Sequence, residues 1–158
     1  MFGLIGAIIS GISMSLQGVF NTRLSEKIGT WETNTFVQAT GLILSLIILF
    51  FFKDGTFKEI KSTNKLYLLG GVLGVIITFT VMLSMKSLGV TVGTAVILVA
   101  QISASALIDA FGLFGTEKVP FSFHEILGIA IMIAGIVLFK WKFYARPSFR
   151  KPKTHGES

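Results

Sequence analysis

The chain has 158 residues, 52% of them hydrophobic and only 14% charged, and its mean hydropathy is +0.77. A soluble domain keeps about a quarter of its residues charged to face water, so the composition excludes a soluble enzyme and indicates a membrane protein. The net charge of +6 does not indicate nucleic acid, because Lys53, Lys58, Lys61, Lys65 and the basic tail lie between or beyond apolar blocks, where headgroups favour cations.

A bilayer core about 30 Å thick needs roughly 20 helical residues, and five segments qualify. They run from Phe2 to Phe20, Trp31 to Phe52, Leu66 to Leu83, Val90 to Phe114 and Ile126 to Phe139. Each is far longer than a barrel strand and lacks strict alternation, so the expected fold is an all-α bundle of five transmembrane helices filling residues 1–140. The N-terminus, MFGLIGAII, has no basic region and no cleavage signal, and reads as a retained first span.

The connections are short. Residues 23–30 (RLSEKIGT) are charged, 53–65 form the longest polar loop, and only KSLG separates spans three and four. That last connection requires an antiparallel hairpin. Pro120 stops the chain before the last span. The tail, residues 141–158, is basic, contains Pro147 and Pro152, and is expected to be disordered beyond Arg146. No internal repeat is visible, and an odd span count cannot be split into two inverted halves. Five Lys and Arg fall on the side of the N-terminus and nine on the side of the tail, so the tail side is expected to be cytoplasmic.

Polar residues inside a bilayer need partners in protein or water, which makes their angular positions informative. At 100° per residue, Gly3, Gly6, Ser10, Ser13, Gln17 and Asn21 form one stripe about 80° wide. Asn34, Gln38, Gly41 and Ser45 share a face of span two. Tyr67, Gly71, Gly74, Thr78 and Met85 align on span three, and Gln101, Ser105 and Asp109 are spaced i, i+4, i+8 on span four. Glycine and serine stripes serve helix packing. Carboxamides and a carboxylate fit a shared wet path lined by Ser13, Gln17, Asn34, Gln38, Gln101 and Asp109.

Asp109 is the one acid well inside an apolar segment. It has two readings, a group that binds a cation or a proton, and a helix–helix hydrogen bond. Glu32 opens span two as a helix-dipole partner, and Lys86 anchors a hairpin. On the last span Gly128 and Gly135 sit seven apart on one face, a spacing that suits a dimer seam or a seam within the monomer. There is no cysteine, which removes disulfides and thiolate metal sites. His124 and His155 are too few and too separated for a metal, and no cofactor is expected.

The segments SLQGVFNTRLSEKIGT, AQISASALIDAFGLFG and LGIAIMIAGIVLF resemble the half-size, five-helix bacterial inner-membrane family of the drug/metabolite transporter superfamily, formerly a domain of unknown function. The last segment is also similar to the closing helix of the small multidrug resistance proteins, where that helix mediates dimerisation. The resemblance covers nearly the whole chain to Phe139. It implies half of an inverted-repeat secondary transporter in the bacterial cytoplasmic membrane, working as a homodimer or with an inverted homologous half. Span one has no counterpart of the coupling glutamate of small multidrug resistance proteins, only Gln17 and Asn21, and Ala110 follows Asp109 where the family often has histidine. No G-x-x-x-x-G-K-[ST] motif occurs, so any driving energy comes from a gradient or a separate subunit. Two rivals remain. A non-transporting scaffold or regulatory subunit would have fully satisfied polar stripes, and an intramembrane enzyme would need a catalytic cluster at one depth.

Overall fold

The computed structural model describes residues 1–52, 55–120 and 122–144, with no side chains described for 141–144. Among these residues every regular element is helical and no strand occurs. Five long helices follow in order: α1 (Phe2–Ile28), α2 (Thr30–Phe51), α3 (Gly70–Leu88), α4 (Val90–Phe111) and α5 (Phe123–Tyr144). Short 3₁₀ turns at Phe57–Lys61 and Lys65–Leu69 precede α3, and a third at Leu113–Gly115 follows α4. Each long helix carries a stretch long and apolar enough to cross a membrane. The 22 residues of α2 or α4 rise about 33 Å at 1.5 Å per residue.

Burial inverts the pattern of a soluble protein. Phe2 is 92% exposed and Phe50 84%, and large apolar side chains point outward along every long helix. The buried polar side chains are Asn21, Thr22, Ser25, Thr33 and Asn34, whereas the buried apolar ones are Met82, Met85 and Val92. In water this would expose most of the apolar surface. In hydrocarbon it hides these five polar groups, which lipid cannot satisfy.

The helices end where backbone chemistry dictates, not where hydropathy falls. α1 continues through the charged RLSEK segment to Ile28, eight residues beyond the apolar block. Arg23 and Glu26 form an ion pair at 3.2 Å on its exposed side, and the Ser25 hydroxyl donates to the carbonyl of Thr22. Gly29 then turns the chain with φ 102 and ψ 158, a region essentially reserved for glycine. Gly89 does the same between α3 and α4, with φ 80 and ψ 164. The KSLG hairpin is therefore one residue long.

The chain divides into two compact units, Met1–Thr94 and Ala95–Ser158. In the first, α1, α2 and α3 pack against one another. Gly18 lets α1 approach α3 so closely that a Cβ there would run into the end of Met85 and meet Val81. The Trp31 and Phe79 rings stack with centroids 4.4 Å apart, and the Lys86 ammonium donates to the Thr30 hydroxyl at 3.0 Å. Both contacts join the start of α2 to the far half of α3. Gly93 sits against Ser84, so the first turn of α4 folds back on α3.

In the second unit, α4 stops at Phe111, three residues short of the apolar block's end, because Gly112 is left-handed at φ 62. The loop returns to the helix end, where the Val119 amide donates to the carbonyl of Asp109 at 3.0 Å. α5 begins at Phe123, before the apolar block, behind a reciprocal cap. The Ser122 amide donates to the Glu125 carboxylate at 2.9 Å, and the Glu125 amide donates to the Ser122 hydroxyl at 3.4 Å. This is a capping box of the S-x-x-E form. The part of the tail expected to be disordered lies outside the described residues.

Candidate functional site

The i, i+4, i+8 spacing on α4 puts Gln101, Ser105 and Asp109 along one side of the helix. They line a groove of about 420 Å³ together with Leu98, Ile102 and Ala106 of α4 and Glu125, Gly128, Ile129 and Met132 of α5. All of these residues belong to the second unit.

Helix rise orders the groove by depth. Gln101 lies at the middle of α4, while Asp109 is two residues from its end and therefore about 12 Å from Gln101 along the axis. On α5, Glu125 is the third residue and Met132 is close to the helix centre. The groove therefore has two carboxylates near its loop-side end and a carboxamide with apolar walls near mid-membrane. The side chains of Gln101, Ser105 and Asp109 make no hydrogen bond or ion pair among the described residues, so their polar atoms are free to meet whatever enters. One oxygen of Glu125 is held by the cap.

The other polar residues read from the sequence fall in two further places. Asn34 and Gln38 turn to α3. The Asn34 amide donates to the carbonyl of Val75 at 2.9 Å, and the Gln38 amide reaches the Thr78 hydroxyl at 3.5 Å beside Gly74. Ser13 and Gln17 are exposed on α1. Gly128 lines the α4–α5 groove, and Gly135 lies one face-repeat further along α5, outside that lining. Among the described residues no three His, Asp or Glu side chains gather to hold a metal ion.

Sequence reasoning passed over Glu125, the second acid of the groove. The S-x-x-E spacing from Ser122 was the available signal, since it starts a helix there and faces Glu125 back toward its own first turn. It also passed over Thr33 and Met82, both fully buried, whose burial depends on which helix lies opposite.

Five helices long and apolar enough to cross a membrane define a multi-pass helical membrane protein. Residues 2–138 match the family described as "Putative inner membrane exporter, YdcZ", and the chain belongs to that family. The match agrees with the drug/metabolite transporter family that the sequence motifs resemble, and it places the protein among inner-membrane transporters. Neither the curated proteins nor the solved structures gave a match.

Proposed function

We propose that the protein is one half of a secondary exporter of small organic metabolites or drugs, working as a dimer in the bacterial cytoplasmic membrane. The observation that carries this reading is the α4–α5 groove, where Gln101, Ser105 and Asp109 offer polar atoms with no partner on the described chain. Unsatisfied polar groups at membrane depth are expensive unless water or a substrate meets them. A carboxamide can orient a substrate by donating and accepting at once.

A five-helix half needs a companion, either a second copy or an inverted homologous half. α5 supplies a small-residue face at Gly128 and Gly135 that suits such a contact. The surplus of Lys and Arg on the tail side supports a cytoplasmic tail. In this reading Ser13 and Gln17, exposed on α1, complete the path across the dimer.

The scaffold reading draws on a different observation, since Asn34 and Gln38 are engaged with α3, as purely structural stripes would be. Purified protein reconstituted in liposomes separates the two readings. A panel of amines, sugars, nucleosides and dyes is screened by thermal shift, because preferential binding raises apparent stability, and the hits are followed as flux. Flux above empty liposomes that is lost in Gln101→Leu supports the exporter. Neither binding nor flux, from a folded dimer, would favour the scaffold.

A further inference from the structure

The lining of the α4–α5 groove is sorted along its length, and that order identifies the substrate class. We propose that the groove takes a cationic amphiphile, with its charged head between Asp109 and Glu125 and its apolar body along Leu98, Ile102, Ile129 and Met132. The assignment rests on the exporter reading for its role in transport, but the binding site stands on the groove itself.

Charge comes first. Asp109 and Glu125 face the groove from two different helices at its loop-side end. The Asp109 carboxylate has no hydrogen bond or ion pair among the described residues, and Glu125 accepts from the Ser122 amide through one oxygen only. The nearest basic residue in the connecting loop is Lys118, whose Cβ packs at Gly112, and it makes no ion pair with either acid among the described residues. A neutral guest would leave both acids uncompensated at the edge of the hydrocarbon. An anionic guest would be repelled.

The walls decide which cation. From Asp109 to Leu98 the groove rises about 16 Å along α4, and from Glu125 to Met132 about 10 Å along α5. Over that length its lining is aliphatic and thioether, interrupted only by Ser105 and Gln101. A small inorganic cation would gain nothing from those walls and would lose its water. An organic cation places its charge at the acids, near the interface, and buries its body where the helices are deepest. The volume of about 420 Å³ falls within the usual range of small-molecule sites, roughly 300–1,000 Å³. Met132 adds a soft, adaptable contact at the inner end.

The test compares two probes of one shape on the full chain in phosphatidylcholine nanodiscs, with empty nanodiscs subtracted. The probes are the fluorescent cation 4-(4-dimethylaminostyryl)-1-methylpyridinium and the uncharged 4-dimethylaminostilbene. The cation should bind at least tenfold more tightly than its neutral counterpart. Asp109→Asn should abolish that preference, Glu125→Gln should reduce it while keeping the helix cap, and Met132→Trp should weaken both probes by filling the apolar end. Equal binding of the two probes, or an unchanged cation preference in a folded Asp109→Asn protein, overturns the proposal. Flux of a neutral substrate without cation preference would sink the site assignment and leave the exporter standing. Tight cation binding with no flux of any substrate would do the reverse.

Discussion

Asn34 of α2 donates its side-chain amide to the main-chain carbonyl of Val75 in α3, across 2.9 Å and with only 2% of its surface exposed. A helix carbonyl has a second lone pair to give, so the bond joins two helices without breaking either. The Asn34 Oδ1 is buried with no partner among the described residues. Asn34→Ala should cost about 1 kcal/mol, the scale of interhelical hydrogen bonds in membranes. Asn34→Asp should cost more at neutral pH, because an ionised carboxylate would face a carbonyl in an apolar setting. Melting temperatures in detergent at low and neutral pH check both statements, and an Asn34→Asp protein indifferent to pH would refute the second.

The one-residue turns give a sharper contrast. Gly29 and Gly89 occupy positive-φ backbone that a side chain strains by about 1–3 kcal/mol. At Gly89 no heavy atom lies within 4 Å of a would-be Cβ, whereas at Gly29 the Glu32 carboxylate is in the way. Gly89→Ala should therefore lose stability from strain alone, and Gly29→Ala should lose a similar amount, because the end of the flexible Glu32 side chain can swing aside. Gly70 has ordinary helical angles, φ −52 and ψ −40, with open space around it. Gly70→Ala should be neutral or stabilising by up to about 1 kcal/mol. Unfolding midpoints in SDS compare the three, and a Gly70→Ala protein as damaged as Gly29→Ala or Gly89→Ala would contradict the turn assignment.

These turns also mark what the sequence made legible. Apolar blocks long enough to span a bilayer located all five helices, because hydrocarbon forces every backbone hydrogen bond to be made inside a segment. Hydropathy misplaced their ends. The RLSEK stretch is a good helix former and extends α1 beyond the apolar zone, while Ser122 starts α5 ahead of its block. The polar stripes gave faces but could not say what lay opposite. The α2 stripe meets Val75 and Thr78 of α3, whereas the α4 stripe lines an open groove. Angular position comes from one helix alone; the neighbour comes from tertiary packing.

The Trp31–Phe79 stack offers an optical reading of the α2–α3 contact. With centroids at 4.4 Å and planes 25° apart, such a pair contributes about 0.5–1.5 kcal/mol beyond the area it covers. Phe79→Leu should cost about that much and shift the Trp31 emission. A double-mutant cycle with Trp31→Leu isolates the pair term, and a cycle that closes without coupling would show that the stack contributes nothing to stability.

Glu125 has two duties that its variants can separate. It caps α5 through the Ser122 amide at 2.9 Å, and it also faces the α4–α5 groove. Glutamine serves in the same box by accepting that hydrogen bond, so Glu125→Gln should leave amide exchange in the first turn of α5 unchanged. Glu125→Ala removes the acceptor, and exchange at Phe123 to Leu127 should accelerate by about five- to tenfold, equivalent to about 1 kcal/mol. Glu125→Lys should accelerate it further, because it places a cation at the positive end of the helix dipole. If alanine and glutamine exchange alike, the cap does not hold the helix start. In that case any loss of ligand binding in both variants would belong to the carboxylate's charge in the groove.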